Sequence, residues 1–396
     1  MPATLSYFRE YCHFHPLRKK RKRVEFILIL SFLFLFALET CANSPIIRVK
    51  ISSEKQRSVK INATDSYRIK EKKIENFFIA QELRVTFRGI AIGDEILGKE
   101  VWIKPEVDSS LIIVNEKRYR GNILIIQQNK SFLEIINQLP LEKYLYGVIK
   151  GEMSSDWPVS AVRAQAIASR TYALKKLKDP SNNKENYDLS SGVTDQVYRG
   201  MEAEDNKARE VVDATEGEVI TYQGKVATIF YHDCCGGYTA SSKSVWGGAF
   251  PYLKAKKENF CKGSPHYYWK FRIKRDNLEK IFKDNKIGKI YSIIPLTFDE
   301  GRRVQNLRIN YISNSNIKGH IDLKGNDFRN LIGTDKLRST LFKVKKENNY
   351  FIFTGKGRGH GVGMCQQGAK VMAEKGFTTE EILKFYYPGT EIKKIY

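Results

Sequence analysis

Leu139-Pro140-Leu141-Glu142-Lys143-Tyr144-Leu145-Tyr146-Gly147-Val148-Ile149-Lys150-Gly151-Glu152 is the stretch where the chain changes its period. Leu141, Leu145, Val148 and Ile149 fall on one helical face, so a helix should follow Pro140, with Gly151 as its stop. Upstream, from Ile46 to about Gln138, the pattern is mostly β. Residues 46–51 alternate towards their end, and 111–114 and 123–126 are short runs rich in β-branched residues, each followed by a polar break. Downstream, Ser155 or Asp156 can cap a second helix with Pro158 in its first turn. That helix should run to about Lys178, where Asp179-Pro180 ends it, and its terminal Lys175, Lys176 and Lys178 suit the helix dipole.

Further along, residues 180–200 read as a loop, 202–215 as a helix and 217–232 as a hairpin turning at Gln223-Gly224. Residues 267–355 return to strands mixed with short helices. Two helices close the chain. The first ends near Gly376; the second opens on Thr378-x-x-Glu381, a capping box, and stops at Pro388-Gly389. The expectation is an α+β protein with a β-rich N-terminal part (45–138) and a mixed α/β core (139–396) that includes the β-rich segment at about 267–355.

With 396 residues, 42% of them hydrophobic and 28% charged, the chain can bury a core and is not of disordered composition. Its formal net charge is +23, from 67 Lys+Arg against 44 Asp+Glu. An excess of this size suits an anionic partner such as nucleic acid, an acidic membrane surface or an acidic wall polymer, and it also arises when lysines simply solvate a surface. The N-terminus narrows the choice. Residues 18–23 are all Lys or Arg, and 26–38 are apolar apart from Ser31. A basic run before a short apolar core is the pattern of an export signal, which places residues 1–44 outside the folded core and argues against a nucleic-acid partner. The apolar run is shorter than the roughly 20 residues of a comfortable membrane span, and a signal anchor is the alternative. Cys41 loosely fits a lipoprotein cleavage site, although Glu39 departs from the small residues usual there; cleavage after Ala42 competes with it.

Several residues could carry chemistry. Glu152, beside Gly151 and near Trp157, is either a solvent-facing glutamate at a helix end or a carboxyl raised by an aromatic wall, the kind of general acid that glycosidic cleavage needs. Arg170 lies among Ala166, Ile167, Ala173 and Leu174, so it must be paired, with Asp195 for example, or reach a ligand. Thr194-Asp195-Gln196-Val197-Tyr198 is a turn, or a cluster whose Tyr198 stacks on a sugar while Asp195 and Gln196 bond hydroxyls. Cys235 and Cys261 could be a disulfide in an exported protein, which accounts for them better than zinc does because the spacing matches no common structural zinc pattern. Cys234 and Cys365 are then buried thiols or a second pair. The glycine-rich run 355–364 lacks the ending of a nucleotide loop, and its His360 either contacts a ligand or fills a core niche.

Six ordered blocks resemble the family of stage II sporulation protein D and the amidase enhancer LytB, over roughly residues 45–392: the 139–148 run, Gly151-Glu152-Met153, the 164–174 run ending in Arg170-Thr171-Tyr172-Ala173-Leu174, the 194–198 run, Cys235-Gly236-Gly237-Tyr238-Thr239, and the 359–369 run. The resemblance implies a peptidoglycan lytic transglycosylase with Glu152 as catalytic acid and base and Arg170 in the active cleft. Gln165, Asp195, Gln196, Tyr198, His360 and Gln366 are implied as substrate contacts. It implies no cofactor. The implied partners are glycan strands and, in the LytB branch, a cell-wall amidase that a non-catalytic member would stimulate. Location in the cell envelope and membrane association through the N-terminal signal would follow. Cys365 stands where the family usually has serine. No Cys or His occurs from Glu152 to Tyr231, so the zinc site of some members is not carried over and no metal is expected.

Overall fold

The computed structural model describes residues 44–396 except 53–55, 130, 180–184, 193 and 283–286. The expected export signal and Cys41 lie outside the described residues. The fold is α+β with a strand-rich N-terminal part. Two sheets occupy that part. In the seven-stranded one, Ile46–Lys50, Phe132–Pro140, Asn122–Gln128 and Glu100–Pro105 are successive antiparallel neighbours. The six-stranded one is built around Ser58–Ala63 and Gln81–Val85. Inward positions of both are buried, among them Ile47, Val49, Ile61, Leu83, Ile103 and Ile125, as the alternation requires.

Phe132–Pro140 runs directly into the helix Leu141–Glu152, which buries Leu141, Leu145, Val148 and Ile149 on the expected face. The helix does not stop at Gly151, so Glu152 sits in its last turn rather than in a connection. The next helix, Val159–Leu177, starts at Pro158 with no side-chain cap. Ser155 and Asp156, the expected caps, are engaged elsewhere: Ser155 Oγ donates to Asp205 (2.6 Å) and Asp156 pairs with Lys207. This long helix is buried nearly all round. It packs against Leu141–Glu152, the strand Glu218–Tyr222 and the two closing helices, Gln366–Glu374 and Thr379–Tyr386, which makes it the axis of the core. The Thr378–Glu381 capping box forms as expected.

The hairpin of Glu218–Tyr222 and Lys225–Val226 turns at Gln223 and Gly224, both at positive φ, as a tight two-residue turn demands. It ends earlier than expected. Tyr231–His232 instead pairs in parallel with Met364–Cys365, joining two distant segments at the core. The strand-rich segment carries two three-stranded antiparallel sheets, and the helices Arg275–Ile281 and Gly325–Ile332 add to its own apolar cluster of Leu278, Phe282, Leu307, Phe328 and Phe353.

Candidate active site

An open cleft of about 1140 Å³ runs from the end of Leu141–Glu152 to the strand-rich segment. Its position follows from two glycines one helical turn apart. A Cβ at Gly147 would stand 2.6 Å from the Tyr198 ring, and one at Gly151 would stand 2.6 Å from Val197 O. Without side chains there, residues 194–200 lie flat against the helix. That approach sets the backbone N–H of Val197 2.6 Å from Glu152 Oε1.

Glu152 lines the cleft. Among the described residues, no lysine or arginine pairs with it. Burial pushes its pKa up, and the Val197 hydrogen bond only partly offsets this. The end of the helix adds a negative dipole of its own, which also disfavours a carboxylate. Asp195, in the same cleft, is the opposite case. Burial pushes it up, but the Ser190 N–H and Oγ bonds and the Lys176 ion pair outweigh burial and hold it below its ordinary value. Tyr172 also donates to Asp195 (2.9 Å). The cleft therefore presents one carboxyl that gives up its proton less readily than usual and one that gives it up more readily.

His360 and Gln366 also line the cleft. Burial and the neighbouring His232, Arg329 and Arg303 hold His360 neutral, and its Nδ1 accepts from the Val362 N–H (3.1 Å). Trp246, nearly half exposed, packs against Phe230 (4.5 Å) and His360 (5.0 Å) and offers an aromatic platform. Lys175, Lys176, Arg329 and Arg358 bring positive charge to the lining, which also carries Asp179, Asp195, Asp233 and Asp335.

Four expected contacts do not reach the cleft. Arg170 is fully buried; its guanidinium holds Glu142 through two bonds of 2.7 Å and donates to Val212 O and Glu218 O, so it is a structural ion pair, and its partner is not Asp195. Gln165 is buried and accepts from Gln366 Nε2 (3.2 Å), so it positions a cleft residue without lining the cleft itself. Gln196 points inward, accepting from Tyr144 and donating to Tyr231 and Ser169 O. Tyr198 is buried against Tyr144, with its hydroxyl on Asn137 (2.7 Å), and cannot stack on a sugar. The expected Cys235–Cys261 disulfide is absent: both thiols are free, with sulfurs 3.3 Å apart, against about 2.05 Å for a bond.

The family model described as stage II sporulation protein matches residues 129–222, which contain Glu152 and the 194–200 segment. A second, described as a domain of unknown function (DUF8618), matches 249–363. The chain is 30% identical over 279 residues to stage II sporulation protein D of Bacillus subtilis, covering 65% of this chain and 76% of that protein. The chain belongs to the SpoIID/LytB family. It is also 32% identical over 359 residues to an uncharacterised protein of Brachyspira hyodysenteriae, covering 89% of this chain and 94% of that one. Its similarity to the amidase enhancer of Bacillus subtilis is 30% over 343 residues, spanning 74% of this chain and 47% of that protein.

In this SpoIID/LytB-family protein, sequence reasoning missed most of the aromatic and basic lining. Trp246 ends a helix of five residues, Ser242–Trp246, too short to show periodicity. Tyr172 lies within the 164–174 block, and only its bond to Asp195 reveals its place. Arg329 comes from the strand-rich segment and Arg358 from the glycine-rich run 355–364, and both reach the cleft only through the tertiary fold.

Proposed function

We propose that this protein is an exported peptidoglycan lytic transglycosylase, with Glu152 as its single acid and base. The observation that carries the proposal is the state of Glu152: a cleft carboxyl with no cation partner among the described residues, raised by burial, with one oxygen fixed by the Val197 N–H. Its proton goes to the bridging oxygen between N-acetylmuramic acid and N-acetylglucosamine as the C1–O bond breaks, which leaves an oxocarbenium-like sugar. The carboxylate then takes the proton of the muramic C6 hydroxyl while O6 bonds to C1, closing a 1,6-anhydro ring and returning Glu152 to its acid form. No water is consumed and no second carboxylate at fixed distance is required. Trp246 gives a face for a sugar ring, and the chain's formal net charge of +23 suits an anionic wall. The basic and apolar runs at 18–23 and 26–38 are the basis for placing the protein in the cell envelope.

A second reading rests on the similarity to the amidase enhancer: a non-catalytic glycan binder that stimulates a cell-wall amidase. Incubation with intact and peptide-stripped peptidoglycan, followed by mass spectrometry of released fragments, separates the two. The transglycosylase releases 1,6-anhydromuramyl ends. Wall binding with no glycan product on either substrate, together with a faster partner amidase, supports the enhancer. New reducing ends without anhydro sugar contradict the proposed chemistry.

A further inference from the structure

Behind the cleft, three chain segments converge on a buried group of thiols. Cys365 is the last residue of the strand Met364–Cys365 and caps the helix Gln366–Glu374. Cys235 follows the paired strand Tyr231–His232. Cys261 lies in the short turn Phe260–Gly263, just after Glu258. One ligand atom from each of Cys235, Glu258, Cys261 and Cys365 lies within 4.8 Å of all the others, and all four residues are buried. Four buried groups that can each carry negative charge are costly together unless a cation joins them. Among the described residues, no lysine or arginine forms an ion pair with Glu258.

We propose that Cys235, Cys261, Cys365 and Glu258 form a structural zinc site. A tetrahedron of Zn–S bonds of about 2.3 Å has sulfur–sulfur edges of about 3.8 Å. The 3.3 Å between Cys235 and Cys261 Sγ is shorter than that edge and far from a covalent bond, so a small expansion of the group accommodates the ion. The surroundings suit thiolates. Gly237 N–H donates to Cys235 Sγ (3.3 Å), while Cys235 N–H (3.2 Å) and Gly368 N–H (3.4 Å) both donate to Cys365 Sγ. Gly236 and Gly237 both take positive φ, which brings the first of these N–H groups round onto the sulfur. Glu258 is oriented as a ligand: Oε1 accepts from the Phe260 and Cys261 N–H groups, and Oε2 lies 2.8 Å from Cys235 Sγ. Arg303, fully buried, donates to Cys235 O (2.6 Å) and brings a positive charge beside an anionic centre.

Binding exchanges three S–H bonds for three S–Zn bonds, releases the thiol protons to solvent and changes no oxidation state. Four protein ligands leave no open position, so the ion is structural rather than catalytic. It ties together the segments that present His232, Asp233, Gln366 and Gln367 to the cleft. The Cys234 thiol also neighbours Cys261 and Cys365, but it falls outside the group whose ligand atoms all lie within 4.8 Å of one another and is not a ligand.

The test is zinc content by mass spectrometry on the full chain, purified under reducing conditions without chelator, together with thiol titration after denaturation. One zinc per chain is expected. Cys261→Ser and Cys365→Ser should lose it, and Cys234→Ser should keep it. In case the serine variants do not fold, Co²⁺ exchange into the parent chain provides a second readout: sulfur-to-cobalt charge-transfer bands and tetrahedral d–d bands are expected. A reduced, folded chain that takes up no equimolar Zn²⁺ would overturn the proposal. So would a thiol count two lower without reductant than with it, which would indicate a disulfide, or loss of zinc in Cys234→Ser. None of these readouts depends on glycan cleavage.

Discussion

The two ends of the helix Leu141–Glu152 each carry a glutamate, and the fold treats them in opposite ways. Glu142, in the first turn, is buried and gripped by both arms of the Arg170 guanidinium. Glu152, in the last turn, sits at the negative end of the helix and, among the described residues, has no cation partner and receives a single backbone N–H. A carboxylate is welcome at the first position and disfavoured at the second. Within one element, a paired carboxylate supports the core while a carboxyl that disfavours charge faces a cleft. The two carboxyls are thus distinguished by their partners rather than by their burial.

The largest effect on stability is expected at the paired end. Glu142→Gln strands a buried guanidinium and should cost about 3–5 kcal/mol in urea unfolding. The double variant Glu142→Met/Arg170→Met should recover most of that loss. A single variant as stable as the parent would break the contrast. Next in size is Gly151→Ala, whose Cβ would stand 2.6 Å from Val197 O. It should destabilise by about 1–3 kcal/mol and slow glycan cleavage by moving the Val197 N–H off Glu152. Gly192→Ala, where nothing lies within 4 Å, is the control and should change neither.

Trp246→Ala should weaken glycan binding about two- to tenfold, as expected for an aromatic contact of about 0.5–1.5 kcal/mol. Because Trp246 is half-buried against Phe230 and His360, the melting temperature should fall modestly, and affinity is compared well below it. An unchanged affinity would remove Trp246 from the sugar-binding face. The smallest effect sharpens the unpaired end. A glutamate whose folded pKa is raised keeps its proton longer in the folded than in the unfolded chain. Its contribution therefore falls as pH rises from the ordinary glutamate value to the raised one, and is flat above that. Glu152→Gln should remove that decline, gaining melting temperature relative to the parent at pH 8 but not at pH 4. A parallel pH dependence in the two proteins would show that Glu152 is not raised.

The sequence makes legible what local rules control. Pro140 marks the switch from strand to helix, Thr378 and Glu381 make their capping box, and Gln223-Gly224 makes its turn. It does not make legible which way each side chain of a polar cluster faces. Asp195 looks into the cleft while Gln196 and Tyr198 beside it look into the core, because Gly147 and Gly151 lay the whole segment flat on a helix. Arg170 had to be paired, as its apolar stripe required, but its partner lies 28 positions back. The thiols were harder still: Cys365 joins Cys235 only through a parallel pairing of two-residue strands, which no spacing rule describes.

The central claim is that Glu152 performs the chemistry, and the direct measurement is release of 1,6-anhydromuramyl ends by the parent and by Glu152→Gln at equal concentration, with the melting temperature of each recorded. Glutamine keeps the acceptor for the Val197 N–H but has no proton to give. The expected result is a fully folded variant whose rate falls by about 10²- to 10⁴-fold. A folded variant that releases anhydro ends at the parent rate would contradict the claim and move the acid to another residue of the cleft.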